Sequence, residues 1–402
     1  MRAQAYNDSI NKLKELKINP LYKRSHKYVK VPHNGTMNRS HFTKEEKMGR
    51  HMKGEGQRRR LLRDLSKTWV VQRLKHIDLS AVPSWLAPYV STVSRYSHSV
   101  GVGRLSLLIS DGTEYDKLLL TAATVLHDVG NGPFPHISDQ LMEDLLGFRH
   151  EGALGFAFER SPMKDVSILE EYGLDLEEVA SVVQGGHRLS PLLNGRPDLD
   201  NADNIHRFMM TIPGRPLGEA SYQPSEIVTS MSLETGGKEI PEGLRRRWLR
   251  DWEKVYRHVW EDRLNMIGWT MLGRAMRVLR EELTPSFLTM NNREAFRLIR
   301  LKLPKLADGL KKKRFRILLD KRYSFLKGKA QKFSDSRELR RMENELCRET
   351  SFEDWAIGLT VDQPLIREKA DHWRVYLVAY NGSEEPKKLL EEILSSSIPF
   401  TG

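Results

Sequence analysis

The chain has 402 residues, of which 39% are apolar, and no run of them approaches the ~18–20 that a bilayer-crossing helix needs. Its first ten residues lack the apolar core of a secretory leader, and its single cysteine, Cys347, excludes an intrachain disulfide framework and zinc–thiolate clusters; the expectation is a protein without a membrane partner, in a reducing, cytoplasmic setting. The net charge of +12 is uneven: residues 1–60 hold 16 Lys and Arg against 5 Asp and Glu, residues 300–341 hold 16 against 4, and the remainder is acidic. Each basic segment reads either as a surface for nucleic acid or another phosphate-rich partner, or as a solvated face.

Residues 1–55 show little periodicity and read as a basic N-terminal arm. Over 56–79, Leu62, Leu65, Trp69, Leu74 and Ile77 recur at roughly helical spacing. The period returns from Tyr96, where His98 shares a face with Val102, Leu105 and Ile109. Tyr115 to Val129 is nearly all apolar and predicts a central buried helix delivering His127 and Asp128 at its C-terminal end, where Gly130, Gly132 and Pro133 break it. Short helices are predicted to about residue 159, alternating helix and turn over 166–186, and a buried helix over 198–210. Residues 213–240, rich in Pro, Gly and Ser, predict a long surface insertion. Residues 242–283 read as one long aromatic-rich helical stretch, and 292–346 as helical and very basic. The clearest strand is W-R-V-Y-L-V-A-Y at 373–380, followed by a closing helix. The fold class is mainly α, with a central helical body over 56–290. A basic helical region and a small α+β C-terminal part occupy 291–402.

The chemistry concentrates in Ser94–His150, which holds His98, His127-Asp128, His136, Asp139 and His150. An Asp at the end of an apolar helix is costly to bury alone. Paired with imidazoles, it suits a divalent cation of the Mn, Fe, Mg, Co, Ni or Zn kind. A further carboxylate is available in D-L-D-N-A-D (198–203), where three acids also suit helix N-capping.

The order His98, His127-Asp128, Asp200 resembles the HD-domain metal-dependent phosphohydrolases. Q-R-L-K-H-I (72–77), S-R-Y-S-H-S-V-G-V-G-R-L (94–105), H-D-V-G-N-G-P-F-P-H (127–136) and W-E-K-V-Y-R-H-V-W-E-D-R-L-N-M (252–266) are similar to the deoxynucleoside triphosphate triphosphohydrolase branch. The similarity runs over about 56–330. It implies an HD-domain helical fold and one divalent metal held by His98, His127, Asp128 and Asp200. Arg95 would then contact a substrate phosphate, His136 and Asp139 would form a catalytic pair, and His150 would stand on the phosphate side. It also implies a nucleotide substrate, most directly a nucleoside triphosphate giving up triphosphate, and a homo-oligomer.

Three departures qualify the substrate. Asn131 stands where the pattern has histidine; it can hydrogen-bond a phosphate but cannot shuttle a proton near neutral pH. Leu79 stands where the branch reads a sugar hydroxyl with glutamine, and Asn201 and Asn204 stand where it has a Lys or Arg and a Tyr. Other readings are therefore kept: an HD phosphodiesterase or nuclease on RNA, DNA or a cyclic nucleotide, and a degenerate HD protein that only binds nucleotide or nucleic acid. A dinuclear HD oxygenase would need His150 and His187 as extra ligands. After Gly185-Gly186, His187 reads either as a loop histidine or as a ligand to a second metal. The Trp-rich helix at 248–260 reads as core or subunit interface rather than as a base-stacking wall.

Overall fold

In the computed structural model, residues 55–397 are described, apart from 91, 164, 212–218, 325–334, 363–371 and 383. The basic arm and part of the second basic segment lie outside the described residues.

The N-terminal helical period is interrupted by its own hydroxyl residues. Helix α1 (Glu55–Leu65) stops before Thr68, whose side chain caps the short α2 (Trp69–Gln72) by accepting from Val71 N; a 3-10 turn follows over Arg73–His76. Ser94 caps α3 (Arg95–Ser106) through Ser97 N, and Thr113 caps α4 (Glu114–Leu126) through Asp116 N. As its composition predicts, α4 is central: every residue from Leu118 to Leu126 is buried. Helices α1, α3 and α4 pack together. Gly103 permits the close approach, since a Cβ there would meet Leu62 of α1 and Val125 of α4. Next come α5 (Asp139–Leu146), α6 (Leu154–Glu159), α7 (Ser167–Glu171), α8 (Leu176–Val183), α9 (Ser190–Leu193) and α10 (Leu199–Thr211). Helix α10 lies on α3.

Three expectations need correction. The described part of the 213–240 segment is packed rather than a solvated insertion. It forms α11 (Pro224–Val228) and a hairpin of β1 (Met231–Ser232) and β2 (Gly237–Lys238). Its apolar residues Tyr222, Ile227, Val228 and Leu233 are buried, and the Tyr222 hydroxyl donates to Ala202 O at 2.7 Å. The aromatic-rich stretch is two helices, α12 (Glu242–Glu261) and α13 (Arg263–Val278). Asp262 between them is extended and caps α13 by accepting from Asn265 N at 2.7 Å. After α14 (Asn292–Lys302) and α15 (Pro304–Lys311), the basic region turns into a strand, β3 (Phe315–Ser324), before α16 (Ser336–Glu349). Cross-strand partners decide that segment rather than its own helical spacing.

The expected strand, now β5 (His372–Tyr380), sits at the centre of an antiparallel sheet of order β3–β5–β4, with β4 spanning Ile357–Asp362. Helices α16 and α17 (Glu385–Ser397) contribute Leu339, Met342, Leu346, Leu390 and Leu394 to the apolar cluster on the sheet. Helix α13 packs against β4 and β5, so the sheet is joined to the helical body.

A buried ion cluster fastens that junction. Glu343 of α16 accepts from Arg274 Nη1 at 2.9 Å, from Arg277 Nη2 at 2.5 Å and from Leu359 N at 2.8 Å. Burial pushes the Glu343 carboxyl up, but the two guanidiniums and the backbone N–H outweigh it and hold it below the usual glutamate range. Replacing Glu343 by Ala would leave the buried Arg274 and the partly buried Arg277 without their counter-ion. A loss of about 3–5 kcal/mol is expected, read as a lowered midpoint in urea unfolding.

Candidate metal centre and reaction cavity

His98 lies in the first turn of α3, His127-Asp128 just past the end of α4, and Asp200 in the first turn of α10. The packing of α3 on α4 and of α10 on α3 brings these ends together. His98 Nε2 is 2.9 Å from Asp200 Oδ1 and 3.3 Å from His127 Nε2. Asp128 Oδ2 is 3.9 Å from His98 Nε2 and 3.6 Å from His127 Nε2, and Asp200 Oδ1 is 3.7 Å from His127 Nε2.

The tautomers follow from the outer hydrogen bonds. His127 Nδ1–H donates to Thr124 O at 2.8 Å, and His98 Nδ1–H donates to Asp203 Oδ2 at 2.8 Å. Both Nε2 lone pairs therefore face the same point, together with two carboxylates. Asp128 Oδ2 is buried and has no hydrogen-bond partner. Donor atoms around an ion with bonds of ~2.0–2.2 Å lie roughly 3–4 Å apart, so the set fits one divalent cation, with the orphaned Asp128 oxygen as the strongest indication. Without an ion, a proton answers the same charge. Burial pulls the His98 pKa down, but hydrogen bonds and charges from Asp200 and Asp203 override it and push it up to about 10.

The three acids at the start of α10 have three different jobs. Asp198 caps the helix, accepting from Asn201 N at 2.6 Å; burial and the neighbouring Asp200 charge raise its pKa. Asp200 points to the metal donors. Asp203 orients His98 and is itself gripped by Arg207, whose Nη2 donates to Asp203 Oδ1 at 3.0 Å. The sequence reading left Asp203 as an alternative ligand and missed Arg207. The signal available was their i, i+4 spacing. Gly101 belongs to the same arrangement, because a Cβ there would meet Arg207 and Asp203.

A second group lies beside the first. Asp139 sits between two histidines: His150 Nδ1 is 2.9 Å from its Oδ1, and His136 Nδ1 is 3.4 Å from its Oδ2. Burial alone would raise Asp139, but both imidazoles hold it well below the usual carboxylate range; Asp139 in turn raises His150 against its burial. Phe134 and His136 adopt left-handed backbone, at φ 55 and 63. The loop is pinned at Phe134 N, which donates to Asn292 Oδ1 at 2.9 Å. Arg95 joins the two groups, with Nη1 2.5 Å from Asp128 Oδ1 and Nη2 3.2 Å from His136 Nε2.

Both groups open on a cavity of about 750 Å³, within the usual range for a small-molecule site. Leu79, Asn201 and Asn204 line it, as do Tyr256, Trp260 and Trp269. The aromatic helices therefore form a cavity wall, although Trp248 and Trp252 are core as expected. Two proposed site residues lie elsewhere. Asn131 is fully buried behind Asp128 and donates to its Oδ1 at 2.7 Å, which places it as a support for the carboxylate rather than against a phosphate. His187 stands outside both His/carboxylate groups; its Nδ1 accepts from Leu189 N at 3.2 Å, closing its own turn.

Ion binding must displace the His98 proton. Because the folded pKa is raised, that proton is present at neutral pH and is lost only as pH rises toward about 10. Metal affinity is therefore expected to rise by up to about tenfold per pH unit through neutrality, with roughly one proton released per ion, measurable by titration calorimetry in buffers of different ionisation enthalpy. Replacing Asp203 by Asn should weaken the metal about 10- to 100-fold while leaving the far-ultraviolet dichroism unchanged.

The HD domain family model matches residues 95–207, which hold every ligand named above. The deoxynucleoside triphosphate triphosphohydrolase SAMHD1 of Gallus gallus is 34% identical over 123 residues, 27% of this chain and 20% of that protein. The SAMHD1 homologue of Dictyostelium discoideum is 28% identical over 142 residues, 31% of this chain and 26% of the relative. The chain thus spans about a quarter or less of the length of these curated relatives. A phosphohydrolase structure from Bacteroides thetaiotaomicron shares the fold, with a TM-score of 0.57 at 13% identity over 80% of this chain and 95% of that one. Residues 95–207, which hold His98, His127, Asp128 and Asp200, thus carry an HD domain, and over part of its length the chain is similar to the deoxynucleoside triphosphate triphosphohydrolases.

Proposed function

We propose that the protein hydrolyses a nucleotide phosphoester, with a nucleoside triphosphate as substrate and inorganic triphosphate as a product. The observation carrying this reading is the adjacency, on one cavity, of the converging His98, His127 and Asp200 donors, with Asp128 Oδ2 3.6 Å from His127 Nε2, and the Arg95–His136–Asp139–His150 group. A divalent ion held by His98, His127, Asp128 and Asp200 would supply Lewis-acid polarisation of a phosphoryl oxygen and a lowered pKa for water.

The residues divide the remaining work. Arg95 Nη2 now meets His136 Nε2, and an arriving phosphate oxygen competes for that guanidinium edge. The exchange leaves His136 Nε2 with a lone pair beside the substrate, while Asp139 holds the ring by Nδ1. His136 then takes or returns the proton, and ionised Asp139 stabilises the imidazolium. Tyr256, Trp260 and Trp269 line the same cavity and would offer apolar aromatic surface to a base.

A phosphodiesterase or nuclease reading on RNA, DNA or a cyclic nucleotide keeps the same machinery. It is favoured by the uncharged Leu79, Asn201 and Asn204 at the cavity wall and by the exposed basic residues Lys311, Lys312, Lys313 and Arg316. Homo-oligomerisation and the Mn, Fe, Mg, Co, Ni or Zn identity of the ion belong to the same proposal.

Purified protein incubated with Mn²⁺ and a panel of ribo- and deoxynucleotides should yield triphosphate and nucleoside. Cleavage of oligonucleotides alone would move the assignment to the second reading, and no phosphate product from any substrate with metal bound would end both. His136→Ala should lower kcat by about 10²–10⁴ without loss of metal. Wild-type turnover in that variant would remove His136 from proton transfer.

A further inference from the structure

A second cavity of about 410 Å³ lies between α5, α13 and the first turns of α16. Arginines dominate it: Arg277, Arg280, Arg337 and Arg340, against the carboxylates Asp144 and Glu281. The pairings are loose for charge-assisted bonds, which close to ~2.7–2.9 Å. Arg280 Nε is 3.4 Å from Asp144 Oδ2, and Arg340 Nη1 is 3.4 Å from Glu281 Oε1. Asp144 is shared with Ser336, whose hydroxyl donates to it at 3.1 Å, and Arg337 Nε is 3.5 Å from Asp335. Arg277 has Glu343, but that glutamate also serves the fully buried Arg274, so two guanidiniums share one carboxylate. Taken together, the pocket and the buried cluster beneath it set five guanidiniums against the four carboxylates of Asp144, Glu281, Asp335 and Glu343, an excess of one positive charge.

The pocket adjoins the reaction cavity. Ile137, Gln140, Gly273 and Arg277 line both spaces, and Gln140 follows Asp139 directly. Across the reaction cavity, the α10 wall offers Asn201, Asn204 and Phe208, none of them cationic. Besides Arg95 at the metal centre and Arg149, which is paired with Glu143, the reaction cavity's arginine is Arg277, on the side of α13 and α16.

We infer that the arginine pocket takes the distal phosphates of a polyphosphate substrate whose reacting phosphate lies at the metal centre. The inference rests on the phosphohydrolase reading for its substrate, but its anion chemistry can be tested without turnover. A chain of phosphates passing Arg277 would meet Arg280 and Arg340, loosening their contacts with Asp144 and Glu281, and would satisfy the excess charge of the cluster. Arginine forks match successive phosphate oxygens, which a single carboxylate at 3.4 Å does not do as well.

The probe is inorganic tripolyphosphate, titrated calorimetrically into the full chain at low ionic strength, with no nucleotide present. Wild type and His127→Ala, which disables the metal centre, should both bind it. Arg280→Ala/Arg340→Ala should weaken binding roughly tenfold or more at an unchanged melting temperature, and Arg280→Lys/Arg340→Lys should recover part of the loss. Equal affinity in wild type and the alanine pair would overturn the inference, as would absence of binding to wild type. Loss of binding in His127→Ala would place the anion on the metal and overturn it as well. Should the alanine pair not fold, Arg340→Gln carries the same comparison. Because hydrolysis never enters the readout, failure of the proposed activity and failure of the pocket give different results.

Discussion

The structure depends on one half-satisfied carboxylate. Asp128 is buried at the end of an apolar helix, and its two oxygens are treated differently. Oδ1 is held by Arg95 and Asn131, while Oδ2 faces two imidazole nitrogens with no protein donor. An ionised carboxylate in such a place is tolerable only if a cation completes it. Arg95 answers the charge only through Oδ1, with its remaining edge turned to Leu79 O and His136, and Oδ2 is left to an ion or to the His98 proton. The apolar wall from α4, the tautomers imposed by Thr124 and Asp203, and the placing of Asp200 by the Asp198 cap all serve that oxygen's need for an ion.

The convergence of His98, His127, Asp128 and Asp200 is foreshadowed in the sequence because buried charge needs partners, and the partners stand at recognisable spacings. The fold class is legible for a similar reason: the helical period is strong in α3, α4 and α10. What sits behind the ligands is much less so. Asn131 looks like a phosphate contact in H-D-V-G-N-G, yet it lies beneath Asp128, because the turn after α4 folds its amide back toward the carboxylate. Arg207 and Gly101 become meaningful only once α10 lies on α3. The strand β3 is hidden because R-I-L-L between lysines has no period of its own, and a partner more than fifty residues later decides its conformation. His187 stands apart from both His/carboxylate groups, where its Nδ1 accepts from Leu189 N and closes a turn.

The C-terminal sheet is more than a cover. Leu359, Thr360 and Val361 of β4 line the reaction cavity, and Leu359 N and O are held by the Glu343–Arg277 cluster. Arg277 thus touches the sheet, the buried ion cluster and both cavities. Such a position transmits geometry: a shift of α16 moves a cationic group at the mouth of the reaction space.

That arrangement also orders events in time. His98, His127, Asp128 and Asp200 are all made by residue 200, but the β4 wall arrives about 160 residues later in the chain. At roughly 5–20 residues per second, that is on the order of ten to thirty seconds of synthesis. During that interval the His/carboxylate residues have been made but the β4 wall of their cavity has not. Enclosure of the cavity therefore waits on later-made elements, because β4 supplies part of its wall.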